Sequence, residues 1–426
     1  MVSIHRRDIL SAAAVLAAPF PALAAAASTP RFPALQAVLD SYVSSKRLPG
    51  GVVAVRHGKA PVEFVAAGTL AFDTDAKMAP DSIFRVYSMT KPVVGTAAMM
   101  LIEQGKLHLD QPLSDILPAF KDPRVMVGGD VSNTRPAAGP ILIRHLLTHT
   151  SGLSYHINGN APLAKLYRQQ GIKPGNRGAP LAPGDLPTVR DLPELGERLA
   201  RLPLDFDPGT KWQYSVAADL MGLVIQTVSG LSFWDFLHSR IFQPLGMNDT
   251  DFMVPAAKLS RLTSVVYKAP TGLIVIDDRK SSPFALDRDL PSGGGGLVST
   301  AADYARFNAM WLGEGTLGGV RLLKPETVRL ARSNLMAPGV TSNITTRPNG
   351  FGAFMQVILP GSGLGGEPTG AYGWSGAAGT TMWIDPVNDI TVVVMVQFMP
   401  AGAYLTYLEA RLAAYKDLKA LGVLKT

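Results

Sequence analysis

The spacing of hydrophobic positions changes along the chain and predicts where helices and strands lie. Residues 32–48 carry apolar side chains at helical intervals, whereas residues 50–72 alternate and are rich in β-branched side chains around a Gly58-Lys59 turn, which is typical of a β-hairpin. Near the C-terminus, three strand patterns precede an amphipathic helix. These patterns occupy, in chain order, residues 352–360, 380–387, 390–399 and 403–422.

Strand patterns near both chain ends, with mostly helical and loop sequence between them and no internal repeat, predict an α/β (α+β) architecture. We expect an antiparallel sheet that is built from both chain ends and flanked by helices, with a mostly helical domain inserted into it. The predicted sheet domain comprises residues 27–83 and 299–426, including the terminal helices, and the inserted domain comprises residues 84–298. Within the insertion, the segment 156–198 is rich in Gly and Pro and is either a lid beside the substrate or flexible surface.

The N-terminal segment has the layout of a bacterial export signal. An arginine pair at residues 6–7 precedes an apolar stretch, residues 9–23, that ends in small side chains. Since Pro19 and Pro21 would interrupt a permanent helix, we predict a twin-arginine signal peptide over residues 1–26 and an exported, periplasmic or secreted protein. No later stretch of about 20 apolar residues is free of charges, which predicts that the mature protein does not span a membrane.

Composition narrows the chemistry that the chain can perform. The 426 residues include no cysteine, which excludes disulfides, thiol nucleophiles and cysteine-ligated metals. The net charge of +7 comes from basic and acidic side chains that are mixed throughout, without runs of lysine or arginine. This distribution is typical of a solvated surface and predicts no nucleic-acid partner. The sequence leaves the oligomeric state open.

Ser88 and Lys91 stand three residues apart at the start of an apolar helical pattern. Pro92 fits only the first turn of a helix, so the helix begins close to Met89 and Ser88 lies at its N-terminus. At this spacing Lys91 lies on the same face as Ser88, which suits a nucleophile beside a base. The alternative is that Ser88 only caps the helix and Lys91 is solvated, because Ser-x-x-Lys by itself is a common pattern.

Two later segments carry further candidate residues. Tyr214 precedes an apolar helical pattern, and the simplest interpretation is that it anchors that helix. Gly373, Gly376 and Gly379 border a strand pattern, where glycine indicates either a close approach to the backbone or a β-bulge. Neither segment identifies a function by itself.

Taken together and in order, these segments resemble the serine β-lactamase-like superfamily, and within it the class C β-lactamase-like group with its penicillin-recognising peptidases and esterases. The resemblance rests on Ser88-x-x-Lys91, on Tyr214-Ser-Val about 125 residues later, and on a small-residue triplet at residues 374–376 before a late strand. It spans about residues 35–397. Supporting segments typical of the family occupy residues 143–153, 206–215, 244–252 and 293–307.

The resemblance implies that Ser88 is the acylated nucleophile and that Lys91 and Tyr214 share the transfer of its proton to the leaving group. It also implies an oxyanion hole formed by the backbone N–H groups of Ser88 and Ala377. A serine hydroxyl needs an adjacent base at neutral pH. Because lysine and tyrosine both have reference pKa values of about 10, we expect the two side chains to act as one coupled unit.

Two departures from the family pattern bear on the substrate. β-Lactamases and peptidases of this family have an asparagine where this chain has Val216, which cannot hydrogen-bond to a substrate amide. They also have Lys-Thr-Gly where this chain has Trp374-Ser375-Gly376, so an apolar ring replaces a cation that helps to hold a carboxylate. We expect all four residues to contact the substrate.

Both replacements are similar in kind to those found in the carboxylesterase branch of the family. They predict a serine hydrolase that cleaves neutral carboxylic esters, with short to medium acyl chains favoured. A β-lactamase, a D-alanyl-D-alanine carboxypeptidase and an acyltransferase that uses the same acyl-enzyme are the alternatives.

Other catalytic patterns are incomplete or absent. His145 and His149 lie four residues apart on a predicted helix, but no glutamate follows His145, so we expect packing and hydrogen bonding rather than zinc binding. The chain contains no Gly-x-Ser-x-Gly sequence. The glycine-rich segment 291–297 lacks the ending of a phosphate loop and is interpreted as a flexible connection. The predicted chemistry implies no metal and no organic cofactor.

Overall fold

The computed structural model describes residues 31–174, 184–285, 290–363 and 367–424, so the predicted signal peptide at residues 1–26 lies outside the described residues. The helices are α1 Pro33–Ser44, α2 Thr90–Glu103, α3 Ile143–Leu147, α4 Pro162–Gln169, α5 Leu192–Ala200, α6 Ala217–Ser229, α7 Phe233–Leu237, α8 Gln243–Leu245, α9 Ala301–Leu312, α10 Pro325–Ala331 and α11 Thr406–Ala420. The strands are β1 Gly50–His57, β2 Glu63–Gly68, β3 Ile83–Arg85, β4 Arg124–Val127, β5 Asp130–Pro136, β6 Val265–Ala269, β7 Gly272–Asp277, β8 Val298–Thr300, β9 Thr316–Leu317, β10 Val320–Arg321, β11 Gly350–Phe351, β12 Gln356–Val357, β13 Tyr372–Ser375, β14 Thr381–Asp385, β15 Ile390–Met395 and β16 Phe398–Met399.

Strands from both chain ends form one seven-stranded antiparallel sheet. Its strand order is β11-β12-β13-β14-β15-β1-β2, and Val53 of β1 lies opposite Val394 of β15. Because side chains alternate between the two faces, Val53 and Val394 pack against α1 and α11, whereas Val52 and Met395 belong to a larger core that includes α9. The predicted fold class is therefore confirmed: a sheet built from both chain ends, with helices on both faces.

The chain enters and leaves the region between β2 and α9 at a single place. β3 and β8 pair antiparallel there, with Phe84 opposite Ser299. The region is mainly helical, as predicted, but it also contains the hairpins β4–β5 and β6–β7, which the hydrophobic pattern does not predict. The reason is that most side chains of β5 and β7 are exposed or half-buried, so these strands lack a clear alternation. The predicted domain boundaries remain predictions.

Helix α2 fixes the position of the Ser-x-x-Lys segment. The helix begins at Thr90 with Pro92 in its first turn, and Ser88 lies in a 3₁₀ turn that spans Tyr87–Met89. Every side chain from Thr90 to Leu101 is buried. A helix that is apolar on all sides belongs in the interior of a domain, so the residues at its N-terminus are held by the core.

The helices of the described segments include none that alone is long and apolar enough to cross a membrane. Helix α6 reaches such a length only together with the helices that follow it, Phe233–Leu245, from which it is bent by 81°.

Candidate active site

A strained turn presents Ser88 to a cavity. The residue before it, Tyr87, has a φ of 43°, a left-handed conformation that non-glycine residues seldom adopt. The backbone N–H of Met89 donates to the Val86 carbonyl at 3.0 Å and closes the turn. Strain of this kind persists only where the surrounding structure holds it, and it concentrates at functional sites. Ser88 is half-buried and lines a cavity of about 380 Å³.

Three side chains meet at the Ser88 hydroxyl. The Tyr214 hydroxyl donates to Ser88 Oγ at 2.6 Å, and Lys91 Nζ donates to the same oxygen at 3.3 Å. Lys91 lies one helical turn from Ser88, whereas Tyr214 is 126 residues away in sequence, immediately before α6. The structure thus brings together the three residues that the sequence singled out. Their roles in catalysis remain predictions.

Lys91 is completely buried, and its ammonium group is surrounded by polarisable partners. Its Nζ donates to the Gly294 carbonyl at 2.6 Å and lies 4.5 Å from the centre of the Tyr214 ring and 5.3 Å from that of Tyr155. Aromatic faces attract cations, and a buried charge requires such compensation. Tyr155 was not predicted from the sequence, because only its position in the fold brings it to Lys91.

Asp219 binds the backbone N–H of Gly294, the residue whose carbonyl accepts from Lys91. Its Oδ1 accepts hydrogen bonds from the Ser292 hydroxyl at 2.6 Å and from the Gly294 N–H at 2.9 Å. Burial raises the pKa of Asp219, while the Ser292 hydrogen bond and the charge of Lys91 oppose that shift. Asp219 therefore holds the peptide group that directly precedes the one whose carbonyl accepts from Lys91. Sequence analysis missed this residue, which is an ordinary-looking position in the first turn of α6.

The glycine-rich segment 291–297 packs tightly at this point. A Cβ atom at Gly294 would lie 2.4 Å from Asp219 Oδ2 and 2.5 Å from the Tyr155 hydroxyl oxygen, which leaves no room for a side chain. The segment was interpreted as a flexible connection, but in the structure Gly294 is a packed part of the site. The four consecutive glycines at residues 293–296 are the feature of the sequence that could have indicated this close packing.

The two histidines near the site are neutral packing residues. Helix α3 ends before His149, whose Nδ1 lies 2.9 Å from Ser215 Oγ and whose ring centre lies 4.9 Å from that of Tyr214. Burial, reinforced by the charge of Lys91, holds the pKa of His149 well below its usual range. Burial and the neighbouring Arg144 lower the pKa of His145 to about 4. Within the described residues, no three His, Asp or Glu side chains are grouped so as to hold a metal ion.

The end of β13 approaches the Ser88 turn closely. A Cβ atom at Gly376 would lie 2.4 Å from the Val86 carbonyl oxygen, so only glycine allows this approach. Ala377 follows and lines the same cavity as Ser88. None of the hydrogen bonds among the described residues uses the backbone N–H of Ser88 or Ala377. Both groups are thus free to bind an oxyanion, although that role is still a prediction.

Of the four predicted substrate contacts, three line the cavity and one does not. Trp374, Ser375 and Gly376 line it, and the Trp374 ring lies 5.7 Å from that of Tyr214. Val216 is completely buried in the main core and is absent from the cavity wall. The reason is local: Val216 is the residue from which α6 starts, and its N–H donates to the Ser154 carbonyl at 2.9 Å.

The cavity is large enough for a small organic molecule and is mainly apolar. Its volume of about 380 Å³ lies within the usual range of small-molecule sites. Apolar side chains in its wall include Ile157, Ile344, Ile358, Met382 and Leu408. This lining favours neutral organic substrates over strongly charged ones.

Comparison with known proteins identifies the family. The model of the Beta-lactamase family matches residues 35–415. The chain belongs to the beta-lactamase family. This match confirms the family that the sequence analysis predicted. That prediction rested on Ser88, Lys91, Tyr214 and the triplet at residues 374–376.

Named relatives within this family include esterases. The chain is 31% identical to Esterase EstB of Burkholderia gladioli over 380 residues, which cover 85% of this chain and 89% of EstB. It is 29% identical to the lovastatin esterase of Penicillium rubens over 349 residues, which cover 74% and 80% of the two chains. Among solved structures it resembles EstCE1, described as a hydrolase with promiscuous acyltransferase activity, with a TM-score of 0.75, 26% identity and coverage of 90% and 97%.

Proposed function

We propose that this protein is a carboxylesterase that acts through an acyl-serine intermediate and favours neutral esters with short to medium acyl chains. The observation that carries the proposal is the hydrogen bond from Tyr214 to Ser88, with Lys91 beside both, inside a largely apolar cavity. The esterase relatives support it, because they share most of the chain with this protein.

The proposed reaction starts when Ser88 Oγ attacks the ester carbonyl carbon. The hydroxyl proton passes to the unit formed by Lys91 and Tyr214, which then delivers a proton to the departing alcohol. The N–H groups of Ser88 and Ala377 stabilise the negative charge on the carbonyl oxygen; donors of this kind typically lower the barrier by about 3 kcal/mol or more. Water then attacks the acyl-enzyme, the same unit takes its proton, and Ser88 is released with the carboxylic acid.

The walls of the cavity favour esters over β-lactams. Trp374 presents an indole ring where the family's β-lactamases and peptidases have a lysine, so no cation stands beside Ser88 on β13 to bind a substrate carboxylate. Among the described residues that line the cavity, Arg411 is cationic, but it forms an ion pair with Glu367. An uncharged acyl group therefore fits this site better than a carboxylate-bearing amide.

Acyl transfer to an alcohol is the second candidate. It needs the same acyl-enzyme and differs only in that an alcohol replaces water in the second step. The similarity to EstCE1, which is described with promiscuous acyltransferase activity, favours it. A cavity of about 380 Å³ can hold an alcohol beside the acyl group.

We also propose that the protein is exported, on the basis of the arginine pair and apolar stretch within residues 1–26. Replacing both Arg6 and Arg7 with Lys should retain the full-length chain in the cytoplasm, and the mature N-terminus can be read by mass spectrometry of the exported form. Export that is unchanged in this variant would contradict the twin-arginine route.

The proposed activity can be tested by assaying p-nitrophenyl butyrate beside a chromogenic cephalosporin. We expect the ester to turn over faster and a fluorophosphonate to label Ser88 in intact protein. The Ser88→Ala variant should show neither turnover nor labelling while keeping its fold, because a half-buried serine contributes little packing. Markedly faster turnover of the cephalosporin would overturn the esterase proposal, and product analysis with added butanol separates hydrolysis from acyl transfer.

A further inference from the structure

The cavity continues from Ser88 across one face of the sheet to the first turns of α11. On this face, Gln356 of β12 lies opposite Gly373 of β13, and Gly373 lies opposite Trp383 of β14. Directly opposed residues point to the same side of a sheet. All three line the cavity, as do Tyr407 and Arg411 of α11. The far end of the cavity is thus built from three sheet strands and one helix.

The missing side chain of Gly373 makes room for the Trp383 ring. A Cβ atom at Gly373 would lie 3.0 Å from Trp383 Cε3, so a larger residue would displace the ring. The guanidinium of Arg411 lies over this ring, 4.3 Å from its centre, and pairs with Glu367. Both charged side chains are nearly buried, with relative exposures of 10% and 6%. The pair carries no net charge, so it does not favour an anionic ligand.

Two polar side chains at this end make no hydrogen bond to another described residue. They are the amide of Gln356 and the hydroxyl of Tyr407, which are half-buried in the cavity wall. Both can therefore hydrogen-bond to water or to a molecule in the cavity. An amide and a phenol together offer both donors and acceptors to a bound molecule. We refer to Gln356, Tyr407 and the Arg411–Glu367 pair as the distal subsite.

We propose that the distal subsite binds a neutral hydrogen-bonding group, a hydroxyl or a carbonyl, on the part of the ester substrate that is remote from the scissile bond. This inference rests on the proposed esterase activity, since it places one end of the substrate at Ser88. Apolar side chains of the cavity wall, such as Met382 and Leu408, then contact the hydrocarbon part of the same molecule. The substrate class is an ester with an apolar middle and an uncharged polar end.

The experiment compares matched esters that differ only in a terminal group. One series carries the group on the acyl side, p-nitrophenyl octanoate against p-nitrophenyl 8-hydroxyoctanoate. The other carries it on the alcohol side, hexyl acetate against 6-hydroxyhexyl acetate. We expect kcat/KM for the hydroxyl ester to exceed that for the plain ester by about tenfold in one series, which identifies the half of the substrate that reaches the distal subsite. An acid-terminated ester should gain nothing.

Variants connect the preference to named side chains. Gln356→Leu and Tyr407→Phe should each reduce the ratio of hydroxyl to plain ester, and the double variant should bring it close to one. Gln243→Leu, a change of the same kind at an exposed position on α8, should keep the wild-type ratio. Circular dichroism and thermal unfolding verify that each variant is folded.

Two results are decisive, and they separate this inference from the proposed function. If plain esters are hydrolysed but neither series shows a preference, or if the preference survives in the double variant, the distal subsite is overturned while the esterase stands. If no ester is hydrolysed at all, the proposed function fails first.

Discussion

The two ends of the cavity differ in how their polar side chains are satisfied. At the reacting end, Lys91 and Tyr214 both donate to Ser88, and Lys91 is completely buried. At the distal subsite, Gln356 and Tyr407 make no hydrogen bond within the described residues. The polar groups of the reacting end are therefore positioned before a substrate binds, whereas those of the distal subsite can still form hydrogen bonds with a substrate.

This difference separates rate from selectivity. Groups that are held in place by the protein do not need to reorganise during the reaction, which is the main source of catalytic power. Groups that are left free discriminate between substrates, because a substrate that lacks the matching atom leaves them unsatisfied. Changes at the reacting end should therefore slow all esters alike, and changes toward the distal subsite should alter which esters are preferred.

The largest expected effect follows from removing the Tyr214 hydroxyl. Tyr214→Phe keeps the ring against His149 and Trp374 but removes the 2.6 Å donor to Ser88. Loss of a positioned acid–base group typically lowers the rate by about 10²–10⁴-fold. We expect kcat/KM to fall by this much for every ester in both matched series, with the ratios between esters unchanged. Steady-state kinetics on p-nitrophenyl octanoate and p-nitrophenyl 8-hydroxyoctanoate measures kcat/KM for each ester and therefore the ratio between them.

The matched control is Tyr267→Phe, a tyrosine on β6 with 37% relative exposure and no place in the cavity wall. It should keep wild-type kinetics. A Tyr214→Phe enzyme with wild-type turnover would remove Tyr214 from the proposed mechanism, and one with altered ratios between esters would contradict the separation of the two ends.

Local patterns predicted much of the fold and the centre of the site. The β1–β2 hairpin, the strands β14 and β15 and helix α11 follow from hydrophobic spacing, because their apolar faces are buried. The start of α2 follows from Pro92. Ser88 and Lys91 come from one short motif, and Tyr214 joined them only through its order and spacing in the family pattern.

What escaped prediction depends on contacts between distant segments. Asp219 and Gly294 are 75 residues apart in sequence, and nothing near either residue indicates that they share a hydrogen bond. Gln356 and Tyr407 likewise line one cavity only because β12 and α11 both border it. Val216 shows the opposite situation: the family motif predicts that it contacts the substrate, whereas its side chain is buried in the core at the start of α6.

A smaller effect is expected from Asp219→Asn at the reacting end. Since Asp219 Oδ2 has no hydrogen-bond partner within the described residues, an amide NH₂ fits there while Oδ1 still accepts from Ser292 and Gly294. The variant loses only the negative charge near Lys91. Lys91 is completely buried, so the variant leaves it without a nearby opposite charge.

We therefore expect kcat/KM to fall by about tenfold for every ester, with the ratios between esters unchanged. Asp40→Asn, an exposed change on α1, is the control. Wild-type kcat/KM in a folded Asp219→Asn enzyme would reduce Asp219 to a packing residue.

The smallest expected effect concerns Trp374, which lies between the two ends of the cavity. The residue is 7% exposed, its ring packs against Phe351 at 5.2 Å and Tyr214 at 5.7 Å, and it lines the cavity. Trp374→Lys replaces that surface with a cation. We expect neutral esters to lose about threefold in kcat/KM and acid-terminated esters to gain by a similar factor, as for a partly screened ion pair.

Trp374→Phe separates charge from size in this experiment. It keeps an apolar ring, so it should leave the preference for neutral over acid-terminated esters as it is, even if packing against Tyr214 changes the rate. If Trp374→Lys and Trp374→Phe show the same selectivity, the indole ring does not contact the substrate, and the apolar residue at the family's lysine position is then no reason for the ester preference. If only the lysine variant changes selectivity, Trp374 acts as the distal subsite does: it affects which esters are preferred, and not the rate for all esters alike.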